Sequence, residues 1–198
     1  MSNPVSAALN RQVWAVDPYP GMPPRLHNGV LLISTEHPLG THRADARERI
    51  RANICDAMAL MLGLPSDAIT FVSHAGHPPR LLIRGLPEPG LSISHEDRLS
   101  LAAVNLQGPV GVDLMQVQEV PNWQSVAQDY LGPDVTEHLR VTPDAERPRA
   151  FANAWCRQEA RLKCHGLALA EWAAIPPLTC PTFELNLPYP MVGALALP

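Results

Sequence analysis

Apolar positions along the chain follow two recurring patterns. Short alternating or continuous apolar runs over residues 12–16, 30–34, 71–73, 80–83 and 91–94 predict strands, divided by Gly- and Pro-rich turns such as DPYPGMPP. Between them, helical spacing puts Ile50, Ile54, Met58, Met61 and Leu62 on one face, with Thr41 as the expected N-cap and Gly63 as the stop. The second half repeats the theme. Residues 99–106 read as a buried strand, Gln107-Gly108-Pro109 as a turn, and residues 110–117 as another strand. Helical segments follow around 123–131 and 135–139. The main helix of this half runs from Pro148 or Arg149 to His165, with Phe151, Trp155 and Leu162 as its buried stripe. Pro148 suits a first turn, where its missing N–H costs nothing, and Gly166 suits the stop. A strand over 192–197 closes the chain. Hairpin-type strands with long helices predict an α+β fold of two similar halves, residues 1–106 and 107–198, each a small sheet packed on one long helix.

Composition narrows the class. With 198 residues, 46% apolar and only 17% charged, the chain can bury a substantial core and is not of the disordered type. A formal charge of −4 gives no reason to expect nucleic acid. Cys55, Cys156, Cys164 and Cys180 form no C-x-x-C pair, so free thiols in a reducing, cytoplasmic setting are expected. The opening MSNPVSAALNRQVW lacks the basic start and apolar run of a signal peptide, and no stretch approaches the ~20 apolar residues of a membrane span. Cations gather locally: Arg140, Arg147, Arg149, Arg157, Arg161 and Lys163 lie close together in the chain. Lys163 is the single lysine, which suggests that a compact point charge is wanted at that position.

Candidate chemistry centres on Asp113, a carboxylate inside an otherwise apolar strand. Unpartnered, it would cost several kcal/mol, so it needs a cation, a metal or backbone donors. Trp155, Glu159 and Lys163 recur at i, i+4 and i+8, which sets Glu159 beside Lys163 on the helix. Either feature alone is common in proteins without any catalytic role. Three histidines, His74, His77 and His95, lie in one stretch but match no zinc spacing.

The joint pattern is more specific. GVDLM (Gly111–Met115) followed some forty residues later by WCRQEARLK (Trp155–Lys163) resembles the 4′-phosphopantetheinyl transferase superfamily, the group with the surfactin-type enzymes. Ser92-Ile93-Ser94-His95 and Gly76-His77-Pro78 agree with further segments of that family. The resemblance implies a pseudo-twofold fold with a coenzyme A-contacting first half and a catalytic second half. It implies transfer of 4′-phosphopantetheine from coenzyme A to a serine of an acyl or peptidyl carrier protein with an acidic surface, in a monomeric enzyme. By motif position, Asp113 and Glu159 look like the Mg²⁺ ligands. Glu159 also looks like the serine's base, and Lys163 like the partner of the pyrophosphate. Ser94, His95 and His77 correspond to coenzyme contacts, with Arg47 or Arg51 for its 3′-phosphate.

Three positions depart from the family pattern. Met115 replaces the second acid of GVDLE, Gln158 replaces a lysine, and His77 replaces another. A thioether does not substitute for an oxygen ligand on Mg²⁺. A two-carboxylate site with more water is therefore expected, and the alternative is an impaired paralogue that binds a carrier protein or coenzyme A without transfer.

Overall fold

The computed structural model describes residues 13–74 and 76–198; position 12 of the first expected strand lies outside them. In chain order the strands are β1 (Val13–Ala15), β2 (Asp17–Pro18), β3 (Leu26–His27), β4 (Val30–Glu36), β5 (Ile69–Val72), β6 (Arg80–Ile83), β7 (Gly90–Glu96), β8 (Leu99–Asn105), β9 (Gly111–Gln116), β10 (Thr182–Asn186) and β11 (Met191–Ala196). The helices are α1 (Arg43–Leu62), α2 (Trp123–Tyr130), α3 (Pro133–Val141) and α4 (Arg147–Cys164). The fold class is α+β, as expected.

One sheet runs β2-β4-β8-β7 with β3 attached to β4; a second runs β1-β10-β11-β9; β5 and β6 form a separate hairpin. Alternation along β4 and β8 explains the layering. Leu31, Ile33, Ala102 and Val104 face α1, whereas Val30, Leu32, Leu99, Leu101 and Ala103 face Val112, Leu114 and Leu195 of the other sheet. Both faces of β4 and β8 are therefore buried, so each reads as an unbroken apolar run. On the far side of the second sheet, Ala152, Cys156, Ala160 and Cys164 of α4 pack on Val192, Ala194 and Ala196. The order of layers is α1, sheet, sheet, α4. Strand β1, from the start of the chain, pairs in parallel with β10 and so lies in the second sheet.

Local details correct two expectations. The N-cap of α1 is His42, whose ring accepts the Ala44 N–H, while the Thr41 hydroxyl donates to the carbonyl of Pro38. Helix α4 buries a stripe of small residues together with Phe151 and Leu162, and leaves Trp155 only half-buried. That stripe lets α4 come very close to β9. A Cβ at Gly111 would overlap the Ala160 carbonyl oxygen and lie 2.6 Å from the Cys164 nitrogen.

Gly111→Ala is expected to destabilise the protein by about 3 kcal/mol, at the upper end of overpacking costs. Urea denaturation checks this, and a change within experimental error would contradict such close packing.

Candidate functional site

Strand β9 is paired with β11 along one edge only. The other edge faces β7, and side chains satisfy it in place of a backbone ladder. Ser92 Oγ accepts the Val112 N–H at 2.9 Å, Ser94 Oγ accepts the Leu114 N–H at 3.3 Å, and Glu96 Oε1 accepts the Gln116 N–H at 3.4 Å. The period of two on β7 matches the period of two on β9, so alternate polar residues form a seam between the sheets. Ser94 also donates its hydroxyl proton to Asp113 Oδ1 at 2.7 Å.

Asp113 is buried on the α4 side of β9. The Lys163 ammonium donates to its Oδ1 at 2.7 Å and to the Val112 carbonyl at 3.2 Å. The sequence requirement for a partner is thus met by the single lysine. Glu159, one turn earlier on α4, has its carboxyl pushed up, mainly by burial and further by the charge of Asp113, with Lys163 opposing. Glu96 is also raised by burial, with the charges of Asp97 and Asp113 adding to the shift and the Gln116 N–H opposing it. The charge of Asp113 is thus felt by both Glu159 and Glu96.

The first half supplies a neighbouring cleft of about 460 Å³. Arg47, Arg51, His77 and His95 all line it. Arg51 donates to Ser73 at 3.1 Å and lies over the Phe71 ring. His95 Nδ1 is 2.7 Å from the Ser100 hydroxyl, which is also 2.7 Å from His37 Nε2. Burial, then the charges of Arg47 and Arg43, lower His95 to about 4, and Lys163 adds to that effect. Cleft and carboxylate centre are close enough to sense each other electrostatically.

Residues 109–186 match the family model of the 4′-phosphopantetheinyl transferase superfamily. That stretch is under half of the chain, and it is what resembles the superfamily. Over 91 residues the chain is 33% identical to the 4′-phosphopantetheinyl transferase HetI of Nostoc sp., covering 46% of this chain and 38% of the relative. A Synechocystis sp. protein given the same activity provisionally is 25% identical over 92 residues, covering 46% of this chain and 37% of that protein. The aligned stretches thus span less than two fifths of either relative's length.

Asp113, Glu159 and Lys163, named from the sequence, are only part of what the structure brings together here. Glu96, Arg43, His37 and Ser100 were not singled out from the sequence; only the alternation Ser92-Ser94-Glu96 hinted at a shared polar face. Met115 shares the α4 side of β9 with Asp113 but packs against the apolar clusters beside α2 and α4. Gln158 is buried in a different direction and lines a separate groove; its side-chain nitrogen has no hydrogen-bond partner. Arg157 pairs with Glu184 at 2.6 Å, so it does not take over for a lysine at 158.

The donor chemistry suits a hard cation only in part. Among the described residues no group of three or more His, Cys, Asp or Glu side chains is arranged to hold a metal ion. Asp113 and Glu159 offer carboxylate oxygens, which fits Mg²⁺, an ion commonly held by one or two carboxylates with phosphate and water completing its shell.

Ser94→Ala removes one donor from Asp113 and the acceptor of the Leu114 N–H. It is expected to cost about 1–3 kcal/mol of stability, measured by chemical denaturation. A loss below a few tenths of a kcal/mol would mean that water replaces the seam at that point.

Proposed function

We propose that the protein transfers 4′-phosphopantetheine from coenzyme A to a serine hydroxyl of an acyl or peptidyl carrier protein, as a holo-carrier-protein synthase, and does so with Mg²⁺. The observation that carries this reading is the Lys163 ammonium bonded to Asp113 one helical turn from Glu159, beside a cleft lined by Arg47, Arg51 and His95. The superfamily match over residues 109–186 supports it.

In this scheme the cleft binds the coenzyme's phosphates, with Arg47 and Arg51 as the candidates for its 3′-phosphate and His77, His95 and Ser94 beside them. Lys163 neutralises the pyrophosphate as the leaving group departs. Glu159 takes the proton of the carrier serine, a task favoured by a carboxyl held above its ordinary range. The serine oxygen then bonds to the β-phosphorus, the anhydride bond breaks, and adenosine 3′,5′-bisphosphate leaves. Asp113 and Glu159 would hold Mg²⁺, which when bound would supply charge neutralisation at the phosphoryl oxygens. Arg149, Arg157 and Arg161 border a groove of about 1020 Å³ along α3 and α4 that Asp134, Glu146 and Glu184 also line. With Arg157 paired to Glu184, Arg149 and Arg161 are the cations offered there to an acidic carrier.

Met115 and Gln158 favour instead a paralogue that binds a carrier or coenzyme A without transfer. Mass spectrometry of a panel of apo carrier proteins, incubated with the protein, coenzyme A and Mg²⁺, separates the two. A phosphopantetheine adduct on at least one carrier is expected. No adduct on any carrier, with coenzyme A still bound, would establish the paralogue. Glu159→Gln and Asp113→Ala are expected to lower the transfer rate by about 100-fold or more with the circular dichroism spectrum retained. Met115→Glu is expected to tighten Mg²⁺ binding in calorimetry, and unchanged affinity would remove that position from the site.

His95 gives a pH test. Its folded value, about 4, lies below the ordinary 6.5, so the unfolded chain takes up this proton first. Its contribution to stability is complete above about pH 6.5 and is lost as pH falls toward 4. In NMR titrations the ring is expected to stay neutral through pH 5.5 in the free protein. Coenzyme A should raise its midpoint, because phosphates offset the charges of Arg47 and Arg43. An unmoved midpoint with coenzyme A bound would put the phosphates elsewhere.

A further inference from the structure

The last turn of α4 sets one thiol against a second from the segment that follows the helix, and the proposed transfer does not use their chemistry. Cys164, the final residue of α4, has its Sγ 3.2 Å from the Sγ of Cys180, and the Cys180 sulfur is also 3.2 Å from Nε2 of His165. Both cysteines are buried, and both are free thiols. Bonded sulfurs sit about 2.05 Å apart, so closing the remaining gap takes about 1.2 Å of movement.

The surroundings determine which side moves. The Cys164 backbone is held against β9, where a Cβ on Gly111 would come within 2.6 Å of its nitrogen. Cys180 lies at the end of the segment from Gly166 to Pro181, which has only one 3₁₀ turn, Trp172–Ala174. The Arg161 guanidinium donates to the Cys180 carbonyl at 3.2 Å and keeps that end of the segment at α4. Burial and the neighbouring thiol push Cys164 up to about 12, so Cys164 keeps its proton near neutral pH. Cys180 has a base within reach, the exposed His165.

We propose that Cys164 and Cys180 form a reversible disulfide when the protein meets a peroxide or a disulfide oxidant. With hydrogen peroxide, Cys180 passes its proton to His165 and the thiolate attacks the peroxide. A sulfur–oxygen bond forms, the O–O bond breaks, and hydroxide leaves and takes up that proton as water. Cys164 then attacks the Cys180 sulfur, the S–S bond forms, and the sulfenic oxygen leaves as a second water. Two thiols are oxidised and one peroxide is reduced to two waters. The bond ties the segment after α4 to the turn that carries Lys163. This chemistry depends only on the two thiols and His165, so it stands apart from the transferase reading.

The test uses the full chain. The reduced protein is exposed to equimolar hydrogen peroxide, remaining thiols are alkylated, and peptides are mapped by mass spectrometry. Two of the four cysteines are expected to escape alkylation and to appear as one cross-linked Cys164–Cys180 peptide that dithiothreitol abolishes. The cross-linked form is expected to melt about 6–12 °C higher, as a loop of this length implies for a protein of this size. His165→Ala should slow the reaction without changing its product. The proposal is overturned if Cys164 and Cys180 are alkylated while Cys55 is oxidised, or if their cross-link forms only in denaturant.

Discussion

The direct contact between helix α4 and strand β9 at Gly111 is the constraint on which the rest of this molecule depends. With no side chain at that position, the Ala160–Cys164 turn rests on the strand backbone itself. The alanines and cysteines along the same stripe of α4 keep the approach close over its length. Only because the helix lies this near can the Lys163 ammonium reach both Asp113 and the Val112 carbonyl. A bulkier stripe would lift the helix and leave a buried aspartate without its cation, a loss that typically costs about 3–5 kcal/mol.

The seam between β7 and β9 supports the other side of the same residue. A normal ladder would leave no side chain at the junction. Here Ser92, Ser94 and Glu96 cap the free N–H groups of β9, and Ser94 also binds Asp113. The two halves thus meet through polar groups on top of an apolar interior shared by both sheets. Like charges collect on each side of that junction: carboxylates near Asp113, arginines near His95. Holding them together works against stability in the free protein, a cost that the coenzyme's phosphates and a divalent cation would relieve under the proposed function.

Much of the architecture was legible in the sequence because its signals are local. Gly63 ends α1 in a left-handed conformation, Pro148 opens α4, and the run over 80–83 is β6. Long-range features were not legible. Strand β10 carries Phe183, Glu184 and Leu185 without a clean alternation, and its parallel pairing with β1 joins residues far apart in the chain. Ser92, Ser94 and Glu96 alternate as a solvent-facing strand would, although their partner is another strand's edge. In the candidate site, Asp113, Glu159 and Lys163 could be named because their motif is compact. Arg43, His37 and Ser100 could not, since only the fold brings them to His95. His42 rather than Thr41 caps α1 because Thr41 is already committed to Pro38.

Calorimetric titration of coenzyme A into the wild type, Arg47→Ala, Lys163→Ala and the double variant tests most directly whether the arginine-lined cleft and the Lys163 centre form one phosphate-binding site. Both single variants should bind at least about tenfold more weakly, a loss of about 1.4 kcal/mol each. Removal of the coenzyme's 3′-phosphate should abolish the sensitivity to Arg47 while preserving the sensitivity to Lys163. Wild-type binding that neither substitution alters would show that the two regions do not act together on that ligand.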